Sequence, residues 1–189
     1  GKTEQLPFVQ ANVATPNIDM MQYGAAKDVL TNAGNPAQFI PFSAWTGVAG
    51  PFALTFRDRG NNLDLTGAAK IRWAIKTSGF HSVRPVLKLT DGTMVVGDHT
   101  SESVALMAVT EVPLATVRWV KFDPMKAVTL GSPGPANQTW FTPDLSKVEE
   151  VGFADLMPGS GHGTGGWIHV GMMEVYGKSV PRAATTAAK

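Results

Sequence analysis

The sequence predicts an all-β protein, an antiparallel sandwich of short strands. Three observations carry that reading. Glycine (20) and proline (13) together make up about one residue in six of the 189, while hydrophobic residues reach 43%. That is too apolar for disorder and too interrupted for long helices. Apolar and polar residues alternate in several short runs bounded by turn-forming residues, and no stretch supports one long helix.

Residues 1–50 read as an irregular segment packed on the sandwich, punctuated by Pro7, Pro16, Pro36, Pro41 and Pro51, with Ala25 to Leu30 able to make a short helical turn. The sandwich domain spans 51–178. Phe52, Leu54 and Phe56 alternate with Ala53, Thr55 and Arg57 to give a strand that Arg59-Gly60-Asn61-Asn62 closes. Ile71, Trp73 and Ile75 alternate with Arg72, Ala74 and Lys76 in a second. Arg84 to Leu89, Asp91-Gly92 and Thr93 to Val96 form a hairpin, because Asp-Gly supplies the positive φ that such a turn needs. Val117 to Phe122, Val148 to Leu156 and Trp167 to Tyr176 complete the strands. Residues 131–137 form a Pro/Gly surface excursion, and the Ala/Thr-rich residues 179–189 a flexible tail.

Composition also narrows the function. A chain this long buries roughly 70% of its unfolded surface and folds without staples. It has no cysteine, which removes disulfides, thiolate metal sites and a Cys nucleophile. With 16 basic against 15 acidic residues the net charge is +1, unlike a dedicated nucleic-acid binder. No apolar run is long enough to span a membrane as a helix. The chain begins Gly1-Lys2 without methionine, which fits a cloning scar after a removed secretory leader, and so a secreted or periplasmic protein.

No catalytic motif survives its context. Gly161 to Gly166 satisfies G-x-G-x-x-G, but a strand rather than a helix follows it. Ser160, His162 and Asp155 lack the elbow that frames a nucleophilic serine. His81, His99, His162 and His169 show no zinc spacing, whereas a calcium site of carboxylates and carbonyls leaves little trace and stays open as a structural cofactor. Glu149 and Glu150 are adjacent, so on a regular strand they point to opposite faces and cannot pair for glycoside hydrolysis. Glu174 with Asp98, Asp155 or His162 is the hydrolase or lyase alternative.

One sheet face is more informative. Alternation sends Arg57, Arg72, Lys76, Arg84 and Lys88 away from the core, with Glu174 as counter-charge. Such a face is either a set of cross-strand salt bridges or a platform whose guanidinium forks hydrogen-bond a ligand. Trp140 and Trp167 follow loops, where a ring could stack on a sugar; Trp73 sits on the apolar side of its strand. The loop before Trp167 is expected to be ordered, with His162 at its tip.

Asp144-Leu145-Ser146-Lys147-Val148-Glu149-Glu150-Val151-Gly152-Phe153, followed by Trp167 to Glu174-Val175-Tyr176-Gly177, resembles the C-terminal half of galactose-binding-like carbohydrate-binding modules. Asn62-Leu63-Asp64-Leu65-Thr66-Gly67 with Ile71-Arg72-Trp73, and Val117 to Phe122, resemble further segments of that superfamily in the same order. Residues 155–163 resemble uncharacterised secreted bacterial proteins of the same fold. The resemblance implies a jelly-roll sandwich of galactose-binding-like type and non-catalytic carbohydrate binding. The ligand residues would be Arg57, Arg72, Arg84, Lys88, Asp98, His162, Trp167 and Glu174. Met172 and Met173 depart from the pattern, standing where acidic or aromatic residues are common. A structural or protein-interaction module is the remaining alternative, and the oligomeric state stays open.

Overall fold

The computed structural model describes residues 6–7, 9–24, 27, 31–32, 44–47, 52–78, 81–103, 105–125, 139–156 and 166–182. In chain order its strands are β1 (Leu6–Pro7), β2 (Ile18–Gly24), β3 (Thr31–Asn32), β4 (Ala44–Gly47), β5 (Phe52–Asp58), β6 (Asn61–Asp64) and β7 (Lys70–Thr77). There follow β8 (Arg84–Leu89), β9 (Met94–Gly97), β10 (Ala108–Pro113), β11 (Trp119–Lys121), β12 (Val148–Asp155), β13 (Gly166–Tyr176) and β14 (Lys178–Pro181). Every pairing is antiparallel. One sheet of six strands runs β1-β3-β4-β13-β7-β10. The other, of eight strands, runs β11-β9-β8-β12-β5-β2, with β6 joining one end of β12 and β14 pairing β6. The chain passes between the sheets at every step except β3 to β4, β5 to β6, β8 to β9 and β11 to β12. That crossing pattern makes the expected antiparallel jelly-roll sandwich.

The expected strands form where the alternation put them. Ile71, Trp73, Ile75 and Leu87 have no solvent exposure, and Leu89 and Val151 are buried with them between the sheets. Phe56 is only partly buried, packed against that layer from its rim. Trp73 places its indole N–H 3.0 Å from Ser101 Oγ, so the largest core side chain carries no unpaired donor. Gly92 closes the β8–β9 hairpin at φ 87°, the left-handed region that Asp-Gly turns favour. Gly152 allows β12 its close approach to β5: a methyl group there would lie 2.0 Å from the Leu54 carbonyl oxygen.

Two parts of the chain contribute more than their composition implied. The first fifty residues carry β2, which covers the free edge of β5 from Ile18↔Asp58 to Gly24↔Phe52. The residues expected in a tail from 179 onward instead begin within β14, which pairs β6 through Lys178↔Asp64 to Pro181↔Asn61. Arg182 then donates to the Asp58 carbonyl and to Glu149. The Asn61-Asn62 turn is thus a strand, given a partner from far along the chain. Strand β10 was also unforeseen. The helical turn at 25–30, save Lys27, the 131–137 excursion and the loop from 158 to 165 with His162 lie outside the described residues.

Leu87→Ala should cost about 2 to 5 kcal/mol in urea unfolding, because it empties a site that both sheets enclose. Arg72→Ala, on the solvent side of β7, should cost under about 1 kcal/mol. Equal losses would place the core on the wrong face of these strands.

Candidate functional site

The eight-stranded sheet turns one face to the core and the other outward. Alternation along β5 sends Phe52, Leu54 and Phe56 inward and Ala53, Thr55 and Arg57 outward. Cross-strand register puts Tyr23 beside Ala53, Gly152 beside Thr55, and Lys88 beside Glu150 on that outer face.

A β-bulge between Val148 and Glu150 changes what the face can hold. On a regular strand Glu149 and Glu150 would diverge. Here the slip brings both carboxylates to one ammonium: Lys88 Nζ lies 2.8 Å from Glu150 Oε1 and 3.7 Å from Glu149 Oε2. The expectation of opposite faces is corrected by the bulge.

Glu150 has no solvent exposure, and three side chains serve it. Thr55 Oγ1 donates to Oε2 at 2.5 Å, Tyr23 OH donates to the same oxygen at 2.9 Å, and Lys88 Nζ donates to Oε1 at 2.8 Å. Glu149 accepts from Arg182 Nη1 at 3.0 Å and lies 3.7 Å from Arg57 Nη1. Asp19 accepts from Arg57 Nη2 at 3.1 Å and Arg59 Nε at 2.7 Å. Hydrogen bonds from Arg59 and Arg57 hold the Asp19 carboxyl below its ordinary range. The array thus opposes the carboxylates of Asp19, Glu149 and Glu150 with the cations of Arg57, Arg59, Lys88 and Arg182. Beside it Ala53, Ala154, Val86 and Val96 pack with Phe122 on the same face, withdrawn from solvent.

Of the expected ligand residues whose side chains are described, Arg57 and Lys88 join this array. Arg84 shares the face but lies toward the other end of β8, donating to the Asp98 carbonyl at 3.1 Å, and burial lowers its proton affinity. Asp98 follows β9, where its carboxylate accepts from Arg118 Nε at 2.7 Å, and Arg118 stacks 4.2 Å above the exposed Trp140 ring. Arg72 and Glu174 are on the outer face of the other sheet, paired at 3.1 Å, with Tyr176 OH donating to Glu174 at 2.9 Å. One continuous basic face therefore does not form, because β5 and β8 belong to one sheet and β7 to the other. Trp167 lies on β13, in register with Trp45 of the six-stranded sheet. Among the described residues no three His, Asp or Glu side chains are placed to hold a metal ion.

Tyr23, Asp19 and Arg182 escaped the sequence reading, Thr55 and Arg59 entered it only as strand and turn residues, and Glu149 and Glu150 were set aside as divergent. The bulge that gathers the two glutamates has no residue signature, and Tyr23 sits in a segment read as irregular. The Asp19-Met20-Met21-Gln22-Tyr23 run held the one available signal.

No protein-family model and no curated protein matches the chain. Among solved structures it is similar to the family 11 carbohydrate-binding module of the cellulosomal cellulase Lic26A-Cel5E of Clostridium thermocellum. That likeness has 13% identity and a TM-score of 0.46, over 94% of this chain and 97% of the module. An exo-beta-agarase shares 9% identity at a TM-score of 0.46 over 95% of this chain. The protein PfGH50B shares 9% at 0.39 over 88%. The chain spans 26% of the agarase and 24% of PfGH50B.

The array also sets an alkaline limit on stability. Burial and the Glu150 hydrogen bond push the Tyr23 phenol above its ordinary 10.0. Burial opposes the charge on Lys88, yet Glu150 outweighs it and holds the ammonium above its ordinary 10.5. Both groups keep their protons more tightly folded than unfolded. Their contribution is complete below pH 10.0 and is lost as pH rises through the higher folded values. Tyr23→Phe should lower the Tm near neutrality and flatten its fall above about pH 10. An unchanged alkaline slope would detach Tyr23 from Glu150.

Proposed function

We propose that the outer face of the eight-stranded sheet, around Tyr23, Arg57, Lys88 and Glu149 above the buried Thr55 and Glu150, binds carbohydrate without cleaving it. The observation that carries this reading is the bulge at Val148–Glu150, which concentrates two carboxylates, an ammonium and two guanidinium groups on one rigid sheet face. Sugar hydroxyls both donate and accept. A dense set of anchored donors and acceptors beside a phenol ring meets them without reorganising. The resemblance of residues 50–178 to galactose-binding-like modules supports the same ligand class, and with it a place outside the cytoplasm, where polysaccharide is met.

Hydrolysis fits the array less well. It needs one carboxyl group free to give a proton and another free to attack or to activate water. Here each glutamate is engaged by a cation, and Glu150 is enclosed as well.

A glycan array followed by calorimetry tests the reading. Arg57→Met and Tyr23→Ala should each weaken the best oligosaccharide by about tenfold or more, roughly 1.4 kcal/mol. Arg72→Ala, on the opposite sheet, should leave affinity unchanged. Affinity lost with Arg72 but kept without Arg57 and Tyr23 would move the site to the other face. Absence of binding to any glycan would end the proposal, and release of reducing sugar would replace it with the hydrolase alternative.

A further inference from the structure

The inner side of the same sheet holds a second feature that the carbohydrate reading does not use. A cavity of about 580 Å³ opens between the sheets, walled by Met20 of β2, Phe56 of β5 and Val151 and Phe153 of β12 on one side. Val170, Met172, Met173 and Val175 of β13 form the other wall. Packed protein interiors leave few voids larger than a water molecule, whereas small-molecule sites run from about 300 to 1,000 Å³. This space belongs to the second class.

Its walls are built for an occupant of variable shape. A β-bulge shifts the β13 register between Val170 and Met172. Beyond it Met173, opposite Trp73, turns inward and packs against the core, while Met172, opposite Ala74, lies with the outward residues of β7. The cavity thus accounts for one of the two methionines that break the family pattern on the final strand. Met20 and Met173 give two unbranched, polarizable thioethers, which adapt to irregular apolar surfaces better than branched side chains do. The polar lining is confined to Asn12, Thr15 and Asp58, and no Lys, Arg or His lines the space. Asp58 Oδ1 already accepts from Gly60 and Asn61, which leaves Oδ2 as its acceptor for a hydroxyl, whereas a ligand carboxylate would meet the Asp58 charge with no cation in the lining.

We propose that this inter-sheet cavity is a second binding site, for a neutral amphiphile with an apolar body and a hydroxyl head, such as a long-chain alcohol. The apolar body lies among Met20, Met173, Val170 and Phe56, and the hydroxyl lies at the Asn12, Thr15 and Asp58 rim.

Fluorescence of the neutral dye N-phenyl-naphthylamine, displaced by dodecanol or by dodecanoate, tests it on the full chain. The dye should bind one-to-one, dodecanol should displace it, and dodecanoate should need at least about tenfold higher concentration. Met173→Trp should fill the space and abolish dye binding while the Tm holds. Val175→Trp, at a more exposed wall position, does the same should the first variant fail to fold. Dye uptake undiminished in a folded filling variant, no dye uptake by the wild type, or dodecanoate competing as well as dodecanol would each overturn the proposal. Oligosaccharide affinity is read in parallel: it should survive Val175→Trp, so loss of one site is distinguishable from loss of the other.

Discussion

A carboxylate without solvent exposure ties together four strands of the larger sheet. Glu150 of β12 draws hydrogen bonds from Tyr23 on β2, Thr55 on β5 and Lys88 on β8. Burying a charge is expensive, and removing one partner of such a group leaves the rest uncompensated at a cost of about 3 to 5 kcal/mol. The three donors therefore act as a unit. They fix the lateral positions of β2, β5 and β8 about β12, and they hold the outer face of the sheet to one arrangement of polar groups.

The larger sheet thus carries opposite chemistry on its two sides. Inward, alternating apolar side chains meet Trp73, Ile71 and Ile75 of the smaller sheet and supply the area burial that holds the sandwich closed. Outward, the same strands present paired charges over small side chains. A bulge in its own β12 gathers Glu149 and Glu150 outside, while the space inside is faced by β13 of the smaller sheet, whose Met173 turns inward beyond a second bulge. In β12 one slip of register converts a repeating surface into a local cluster. The smaller sheet's outer face has no such slip in its β7–β10 pairing, and its Arg72, Glu111, Glu174 and Lys70 settle into exposed pairs.

Most of the sandwich was legible in the sequence because period-two alternation is a local property. Ile71-Arg72-Trp73-Ala74-Ile75 declares both the strand and its buried side, and Asp91-Gly92 declares a hairpin. The misses share a cause. Strands β2, β6 and β14 are held by distant partners, and nothing in Asn61-Asn62 or Lys178-Ser179 foretells that they will pair across more than a hundred residues. The site was less legible still. Alternation correctly sent Arg57, Arg72, Arg84 and Lys88 away from the core, but it cannot say which sheet a strand joins. Arg57 and Lys88 meet through the glutamates, while Arg72 faces away on the other side of the molecule. A bulge reverses the direction of every residue beyond it without any compositional mark, and so Glu149 and Glu150 were read as diverging.

The account turns on the outer face of the larger sheet being the ligand face, organised around Glu150. Amide chemical-shift mapping of the ¹⁵N-labelled protein against a pool of soluble oligosaccharides addresses this directly. The account predicts perturbations grouped on neighbouring strands at Met21 to Tyr23, Thr55 to Arg57, Val86 to Lys88 and Glu149 to Val151. Perturbations grouped instead on β7, β10 and β13 around Arg72 and Glu174, or confined to the Trp140 and Arg118 edge, would contradict it.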